Sequence, residues 1–506
     1  MNKEIMILEA IFKNNANKEA LVGLSSAKTF SYRELEVLSL KLAQVLQKNG
    51  IVKGDRIGII LPNSVEYVII YIAIMQIGAI AVPINHDLHP TEIISLINNS
   101  KVKLVFMPKR NEAIESVAGQ VYIVNELFLG EIEREKAISE RSFSCVDAED
   151  VIAIMYTSGT TSRPKGVEIR YRDVIGNGLA FIETMKIPAG TRFLNVFSLS
   201  YMGGWFNQML IPLLSGGTII LDKTFGSDTA LSYWNKVINN NVSAIWLTPT
   251  MMAILLFIGK AKEALEYNKK HVKFAFVGTA PLAPKIKRDF EESSGINFYE
   301  NYGLSETFFI STNIPGLPPK IASVGKVLPG CEIEIRIKSG EKGKIGDEGE
   351  IFVKSAYLMK GYYDECSSVQ LMDVRGFFRT GDIGFIDEEG YLFITGREKD
   401  LIIRGGLNVS PKQIEDKLME MEGIEEVACV GVPHNIYGEE IAVVVKLKAQ
   451  HRSVIKENDI LEFAAKSLAQ SKYPRLVYFV DDFPRSSTGK LQKNKLRLML
   501  QEKNKG

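Results

Sequence analysis

Hydroxyl side chains, glycines and a lysine crowd residues 156–167, which have the sequence YTSGTTSRPKGV. Glycines let a backbone turn several N–H groups toward one point, and such a nest binds an anion. Lys165 adds a mobile positive charge that suits phosphate, although Pro164 stands where a Walker A loop has glycine. A solvated loop is the alternative for so much Ser, Thr and Gly. The residues predicted to hold phosphate are Thr157, Ser158, Gly159, Thr160, Thr161 and Lys165.

Further polar strings follow this loop along the chain. They are NYGLSET (301–307), FRTGDIG (378–384), GREKDLIIRGG (396–406) and PRSSTGK (484–490). Together with the loop, and in the same order, they resemble the motifs of the adenylate-forming superfamily. That superfamily includes acyl-CoA synthetases, the adenylation domains of nonribosomal peptide synthesis, and luciferases. The resemblance covers nearly the whole chain and is closest to the acyl-CoA synthetases.

The resemblance implies a reaction in two halves. In the first, a carboxylate attacks the α-phosphorus of ATP, with Mg²⁺ as the metal, and gives an acyl-adenylate and pyrophosphate. In the second, the thiol of CoA attacks the acyl carbon and expels AMP. Because both halves develop charge on oxygen, positioned donors and cations are the main catalytic resource.

Most motif residues are assigned by the resemblance to the nucleotide. Ser305 contacts the α-phosphate, and Glu306 is a hard oxygen ligand for Mg²⁺. Asp382 accepts both ribose hydroxyls, since an ionised carboxylate takes two donors, and Arg397 binds the same sugar. Without the motifs, Glu306 is an ordinary surface carboxylate and Asp382 a hairpin residue. The adenine-contacting residues that the resemblance implies are Gly278, Thr279, Ala280, Asn301 and Tyr302, and it implies that Gly303 is a further ATP- or AMP-binding residue.

A second group of residues is implied to move between the two halves. Lys490 reaches the active site during adenylation, where a cation offsets repulsion between the carboxylate and the α-phosphate. Lys399 matches the hinge about which the family rotates its small domain. After rotation, Gly405 and Gly406 let the backbone pass close to a pantetheine arm, because no side chain intrudes. Without its motif, Lys490 is one more lysine of a basic, solvated tail.

The acid itself is less clearly indicated. Residues 195–221 resemble the family's acyl-pocket segment and contain no carboxylate. Ser198 stands where amino-acid-activating domains carry Asp, which disfavours an amino acid, and Tyr201 stands where many acyl-CoA synthetases have His. We predict that Tyr201, Trp205 and Trp246 line a pocket for an apolar acyl or aryl acid. Packing in the core is the alternative role of such residues.

These motifs need a scaffold, and the chain predicts one of the α/β class. Apolar strand-like runs at 55–62, 103–108, 121–125 and 151–157 alternate with helical patterns such as 32–49. This alternation predicts helix-covered, mostly parallel sheets.

A change of pattern near residue 396 divides the chain. We predict a large N-terminal domain over 1–396, which binds ATP and the acyl group. A small, mobile α+β domain covers 397–506, with the hinge near 399. Within this small domain we predict a helix with Ser410 as N-cap, Pro411 as first residue and Gln413 closing a capping box.

Composition narrows the partners and the location. The net charge is only +1, with 61 Lys and Arg against 60 Asp and Glu. This disfavours nucleic acid, which recruits proteins by bulk charge, and favours a small-molecule acid. The four cysteines are far apart, with no C-x-x-C pair, as in a cytoplasmic protein with reduced thiols. They are Cys145, Cys331, Cys366 and Cys429.

One segment has the apolar length of a membrane span. Residues 67–84 are almost wholly apolar, but Gln76, Gly78 and Pro83 interrupt them, and no Lys/Arg cluster flanks them. We predict a buried helix over 67–76 and a core strand over 79–83, and therefore no integral membrane span. The N-terminus also lacks the apolar core of a signal peptide.

Three functions remain open at this stage. The first is an acid–CoA ligase with ATP, Mg²⁺ and CoA. The second is a stand-alone adenylating enzyme that loads the phosphopantetheine of an acyl carrier protein, which presents the same thiol arm. The third is a non-catalytic nucleotide-binding protein, which the presence of Lys490, Glu306 and Lys165 disfavours. The oligomeric state, the pathway and the physiological acid are not indicated by the sequence.

Overall fold

The computed structural model describes residues 3–136, 146–157, 165–363, 372–485 and 491–503. Strands and helices alternate through these ranges, and the strands form four sheets. The predicted α/β class is confirmed.

The strands are named β1 to β25 in chain order. They are β1 (Glu19–Gly23), β2 (Lys28–Ser31), β3 (Arg56–Ile59), β4 (Ile80–Pro83), β5 (Leu104–Met107), β6 (Gln120–Ile123), β7 (Val151–Thr157), β8 (Lys165–Arg170), β9 (Arg192–Asn195), β10 (Thr218–Leu221), β11 (Ala244–Leu247), β12 (Phe274–Val277), β13 (Tyr299–Leu304), β14 (Phe308–Thr312), β15 (Lys326–Val327), β16 (Cys331–Arg336), β17 (Gly349–Ser355), β18 (Gly361–Tyr362), β19 (Phe378–Ile386), β20 (Leu392–Arg397), β21 (Ile402–Arg404), β22 (Leu407–Val409), β23 (Ile424–His434), β24 (Gly438–Leu447) and β25 (Leu476–Phe479).

The α-helices are named in the same way. They are α1 (Lys3–Asn14), α2 (Tyr32–Lys48), α3 (Val65–Gln76), α4 (Pro90–Ser100), α5 (Glu112–Glu115), α6 (Phe128–Arg134), α7 (Tyr171–Met185), α8 (Ile211–Leu214), α9 (Ser227–Ala230), α10 (Tyr233–Asn239), α11 (Pro249–Ile258), α12 (Leu265–His271), α13 (Pro284–Ser294), α14 (Pro411–Leu418), α15 (Glu457–Ser467) and α16 (Lys493–Lys503).

Two large, mostly parallel sheets form the body of the molecule. One has the order β15-β14-β13-β12-β11-β9-β10-β1-β2, and the other has the order β18-β8-β7-β4-β3-β5-β6. Their inner neighbours are parallel, for example β3 with β4 and β9 with β10. Antiparallel partners stand toward the edges, among them β8 with β7 and β14 with β13. Parallel strands that are joined through helices are the arrangement that the sequence pattern predicted.

The long apolar segment is a core element. In α3 every residue from Tyr67 to Gln76 is buried, and the following strand β4 is buried along its whole length. A helix that is apolar on all sides is expected where neighbours cover every face. Over the described ranges, no helix combines the length and the apolar character needed to cross a membrane.

Two smaller sheets complete the fold. The antiparallel sheet β16-β17-β19-β20 contains the predicted hairpin with Asp382, and the last sheet has the order β22-β21-β24-β23 with β25 beside β24. The C-terminal strands and helices bury apolar clusters of their own. Cys331 and Cys429 are free thiols, whereas Cys145 and Cys366 lie outside the described residues.

The predicted capping box of α14 is wrong in its side-chain bonds. Ser410 is the N-cap and Pro411 the first helical residue, but the Ser410 side chain makes no cap hydrogen bond. Its hydroxyl instead donates to the carbonyl of Thr395 on β20. Gln413 accepts from the Lys472 ammonium at 2.5 Å. Both side chains are engaged by tertiary contacts, which compete with local capping.

Candidate active site

The loop that was predicted to bind phosphate joins two paired strands. Thr157 at the end of β7 is the register partner of Lys165 at the start of β8. Most of β7 is buried, which fixes the position of this hairpin end in the sheet. Four predicted phosphate ligands, Ser158, Gly159, Thr160 and Thr161, lie outside the described residues.

Lys165 and Glu306 meet at one aromatic side chain, that of Tyr362. The Lys165 ammonium lies 4.5 Å from the centre of the Tyr362 ring, within the range of a cation–π contact. The Tyr362 hydroxyl donates to Glu306 Oε1 at 2.8 Å. Tyr362 therefore contacts two residues that the motifs assigned to ATP.

The strand and turn that carry Glu306 require glycine at one point. β13 pairs with β14 through a bulge between Tyr302 and Gly303. A Cβ atom on Gly303 would stand 1.9 Å from the carbonyl oxygen of Phe308, so no other residue fits without displacing the backbone. After the bulge, the turn places Ser305 and Glu306 in half-buried positions.

The two segments predicted to contact adenine come together. A Cβ atom on Gly278 would lie 2.4 Å from Asn301 Oδ1, which brings the end of β12 against β13. Thr279 follows with a φ of 72°. A left-handed backbone is strained for a threonine, and such residues concentrate at ligand sites. Thr279 and Ala280 are exposed, whereas Gly278 is buried.

Asp382 lies deep in the structure with two donors. Its side chain is 3% exposed, and Arg397 Nε stands 2.7 Å from its Oδ1. The Tyr302 hydroxyl donates to Oδ2 at 2.7 Å. Burial raises the pKa of Asp382, and the Arg397 charge opposes this rise. Burial, and then the charge of Asp382, raise the pKa of Tyr302 well above its usual value, so the phenol remains the donor.

A single carboxylate suits the predicted metal. Among the described residues, no group of three or more His, Cys, Asp or Glu side chains could hold an ion by itself. Mg²⁺ in nucleotide sites needs only one or two carboxylates, because substrate phosphates and waters supply the other ligands. Glu306 fits this role: it is half-buried, and one oxygen is fixed by Tyr362.

The predicted acyl-pocket residues differ in their surroundings. Trp205 is fully buried and its ring centre lies 5.6 Å from that of Tyr71. Trp246 is 1% exposed and stacks on Phe309 at 5.5 Å. Tyr201 is half-buried, and its hydroxyl accepts from Asn85 Nδ2 at 3.1 Å. Both indoles pack in an aromatic core, and the pocket role of all three residues stays a prediction.

The segment between Tyr201 and Trp246 begins with an uncommon helix. Residues Gly203–Leu210 form a π-helix, a form that is rare and frequent at functional sites. A Cβ atom on Gly204 would stand 2.1 Å from the carbonyl oxygen of Ser198. Gly204 is therefore required for this helix to pack against the preceding loop.

The predicted hinge and tunnel residues lie on the C-terminal side of β20. Lys399 is in a 3₁₀ turn, Glu398–Asp400. Gly405 and Gly406 form the turn between β21 and β22, with φ values of 57° and 81°. This left-handed conformation favours glycine. No atom of the described chain lies within 4 Å of a Cβ placed on Gly406, so the space beside this turn is open.

Lys490 lies outside the described residues, but both flanks of its segment are anchored. Arg485 and Leu491 form an isolated antiparallel bridge, and Arg485 also pairs with Glu426 at 2.5 Å. On the other side, Lys493 pairs with Glu415 at 2.6 Å. These contacts attach both flanks of the segment to the C-terminal sheet and to α14.

The structure thus brings together residues that the motifs kept apart. Asp382 contacts both Arg397 and Tyr302. Glu306 and Lys165 both contact Tyr362, one at its hydroxyl and the other at its ring. Tyr362 was missed by the sequence reasoning. The Lys-Gly-Tyr-Tyr string around it carries only a faint signal, a lysine and an aromatic pair before Asp364 and Glu365 in the sequence, and no spacing links it to the phosphate loop.

Family models match most of this chain. The model described as AMP-binding enzyme matches residues 8–363, and the model described as AMP-binding enzyme C-terminal domain matches residues 413–490.

Curated relatives match over almost their whole length. The chain is 31% identical over 494 residues to the long-chain-fatty-acid–CoA ligase FadD13 of Mycobacterium tuberculosis, with 95% of each chain covered. It is 30% identical over 477 residues to the 2-succinylbenzoate–CoA ligase of Bacillus pumilus, with 93% of each covered.

A solved structure has the same fold. ATP-bound MatB from Rhodopseudomonas palustris superposes with a TM-score of 0.89 at 29% identity. The match covers 97% of this chain and 98% of that one. The similarity therefore extends through both the large body and the small C-terminal part.

Proposed function

The chain belongs to the family of AMP-binding enzymes, and from that premise we propose that it joins a carboxylic acid to CoA at the expense of ATP. It is an AMP-forming acid–thiol ligase. The acid is converted to an acyl-adenylate with release of pyrophosphate, and the acyl group then passes to the CoA thiol.

The observation that supports this best is how the segment 301–306 is held at both ends. Tyr302 contacts Asp382, and Asp382 pairs with Arg397. A few residues later, Glu306 contacts Tyr362, whose ring faces Lys165. One short strand and turn therefore contacts the predicted ribose residue Asp382 directly and the predicted phosphate residue Lys165 through Tyr362, an arrangement in which one bound nucleotide can reach both.

In the first half of the reaction, Asp382 and Arg397 hold the ribose, and Lys165 and the loop hold the β- and γ-phosphates. Glu306 is the protein ligand for Mg²⁺, which neutralises charge on the phosphates when bound. Ser305 contacts the α-phosphate. Lys490 stands between the acid carboxylate and the α-phosphate and stabilises the charge of the pentavalent state.

In the second half, Lys490 must leave because the thiol enters the same space. The domain of residues 397–506 turns about Lys399, and the Gly405–Gly406 turn comes to the site. The open space beside Gly406 supports this role, since a pantetheine arm needs a path that is free of side chains.

The acid is an apolar acyl or aryl acid, and CoA is the acceptor. Similarity to enzymes named for long-chain fatty acids and for 2-succinylbenzoate supports this range. We place the activity in the cytoplasm, in keeping with ATP and CoA as water-soluble substrates.

The test is acid-dependent exchange between ATP and pyrophosphate without any thiol, across fatty, branched, aryl and amino acids. Exchange with one acid class, followed by CoA-thioester formation with that acid, is the expected result. Absence of exchange with every acid, together with measurable ATP binding, would support a binding-only protein instead.

A variant separates the two halves. Lys490→Ala is expected to abolish exchange and to retain CoA-thioester formation from supplied acyl-AMP. Equal loss of both reactions would contradict the assignment of Lys490 to the first half alone.

A further inference from the structure

We infer that Tyr362 is a positioning residue for ATP: it orients the Glu306 carboxylate for Mg²⁺ and the Lys165 ammonium for the phosphates. The inference rests on the proposed function of those two residues. Tyr362 itself acts through them and does not need to touch the nucleotide.

The backbone around Tyr362 is attached to both elements that it connects. β18 pairs with β8, with Tyr362 opposite Val167. On one side of Tyr362, the amide of Met359 donates to the carbonyl of Glu306 at 2.9 Å. On the other, the amide of Tyr363 donates to the carbonyl of Gly166, next to Lys165, at 2.7 Å. The position of Tyr362 relative to both partners is therefore set by main-chain bonds.

The hydroxyl and the ring face of Tyr362 contact different residues. The hydroxyl bonds one oxygen of Glu306, so the carboxylate cannot rotate freely and its remaining oxygen keeps a fixed direction. The face of the ring attracts the Lys165 ammonium, which limits the conformations of a long, flexible side chain. Partners of this kind orient metal ligands, and their removal typically lowers metal affinity by about 10- to 100-fold.

Because the two contacts use different atoms, two substitutions separate them. Tyr362→Phe removes the hydroxyl and keeps the ring, whereas Tyr362→Leu removes both contacts. Tyr363→Phe is the matched control: it removes a neighbouring hydroxyl that lies 3.4 Å from the carbonyl of Ser100, away from Glu306 and Lys165.

The measurement is ATP binding by calorimetry at a series of Mg²⁺ concentrations, which requires no acid. For Tyr362→Phe we expect the Mg²⁺ concentration for half-maximal effect on ATP binding to rise about 10-fold, with ATP affinity in EDTA unchanged. For Tyr362→Leu we expect ATP affinity to fall also in EDTA, because Lys165 then loses its contact with the ring. Tyr363→Phe should match the wild type in both conditions.

A double-substitution cycle tests whether the effect passes through Glu306. In a Glu306→Gln background, Tyr362→Phe should change the Mg²⁺ dependence by less than 2-fold. Full additivity of the two changes would overturn the inference, as would a wild-type Mg²⁺ dependence in Tyr362→Phe.

A loss of ATP binding in EDTA that accompanies a lower melting temperature in Tyr362→Phe would indicate a structural role and would also overturn it. Failure of the proposed function would look different. The wild type would then bind ATP with Mg²⁺, but none of the acids tested would support exchange between ATP and pyrophosphate.

Discussion

Arg397 and Asp382 are cross-strand partners on β20 and β19, and Arg397 Nε lies 2.7 Å from Asp382 Oδ1. With Tyr302 on the other oxygen, the buried carboxylate already accepts one donor at each atom. A carboxylate has about four acceptor positions. Room remains for two ribose hydroxyls, and the two existing donors fix the direction in which those positions point.

This arrangement predicts how nucleotide binding depends on pH. Burial raises the pKa of Asp382 above its usual value, so the acceptor carboxylate is lost at a higher pH than for an exposed aspartate. We expect AMP affinity to fall as the pH is lowered through this raised pKa. Asp382→Asn should bind AMP more weakly at pH 7 and show little of this dependence. Calorimetry from pH 4.5 to 8 provides the measurement.

The same shift has an opposite consequence for stability. A carboxyl group whose pKa is raised on folding holds its proton more tightly in the native state. Its contribution to the free energy of unfolding is therefore present at low pH and lost as the pH rises through the folded pKa.

The binding prediction has its own contradicting outcome. If Asp382→Asn kept the wild-type pH dependence of AMP affinity, the assignment of Asp382 to the ribose would be contradicted.

The hairpin around Asp382 was predictable, but its partner Tyr302 was not. A strand, a turn rich in acidic residues and a second strand are visible in local sequence. The bond between Tyr302 and Asp382 depends instead on where two sheets meet, which no local pattern encodes. Tyr362 was missed for the same reason. The predicted capping box of α14 does not form, because Ser410 donates to the Thr395 carbonyl and Gln413 accepts from Lys472 instead.

Gly303 provides a test of the backbone at the site. A Cβ atom there would stand 1.9 Å from the Phe308 carbonyl oxygen, so Gly303→Ala must displace β13 from β14. We expect a loss of unfolding free energy of about 1–3 kcal/mol and weaker ATP binding. Gly361→Ala is the control, since no atom of the described chain lies within 4 Å of a Cβ at that position. Denaturant unfolding of both variants measures the difference, and equal stability would contradict the clash.

The pair of Glu415 and Lys493 is expected to stabilise the C-terminal part. Burial alone would lower the pKa of Lys493, but the nearby Glu415 carboxylate outweighs burial and the pKa is raised. Glu415 also accepts from the Cys429 amide at 2.7 Å. Glu415→Leu leaves a largely buried ammonium and an unpaired amide, and we expect a loss of about 2–3 kcal/mol. Removing one partner of a fully buried ion pair lowers the free energy of unfolding by about 3–5 kcal/mol.

Two controls accompany this prediction. Asp289→Asn breaks the surface pair with Lys285 on α13 and should change the unfolding free energy by less than about 0.5 kcal/mol. The double variant Glu415→Leu, Lys493→Met should recover most of the loss, because no charge is then left unpaired. A double variant that is no more stable than Glu415→Leu would show that the charge of Lys493 is not the cause.

Asn207 lies in the π-helix Gly203–Leu210 that follows Tyr201. It is 7% exposed, and its side chain makes no hydrogen bond to any residue in the described ranges. Neither amide atom of Asn207 is fully shielded from water, so the cost lies below the about 1–3 kcal/mol of a fully buried amide without a partner. Asn207→Leu is therefore expected to raise the melting temperature. Its neighbour Gln208 is the contrast, because Gln208 accepts from the amides of Val196 and Phe197 and donates to the carbonyl of Trp246. Gln208→Leu should lower the melting temperature strongly.

The acid panel then shows whether the Asn207 amide serves the substrate. If the acid carries a polar group that this amide binds, Asn207→Leu should reduce exchange with that acid and increase exchange with a purely aliphatic acid of similar length. Binding sites that use a buried hydrogen bond discriminate strongly against a ligand or residue that lacks it. A more stable variant with an unchanged acid preference would place Asn207 outside the acyl pocket, and a less stable variant would show that its amide has a partner in the native state.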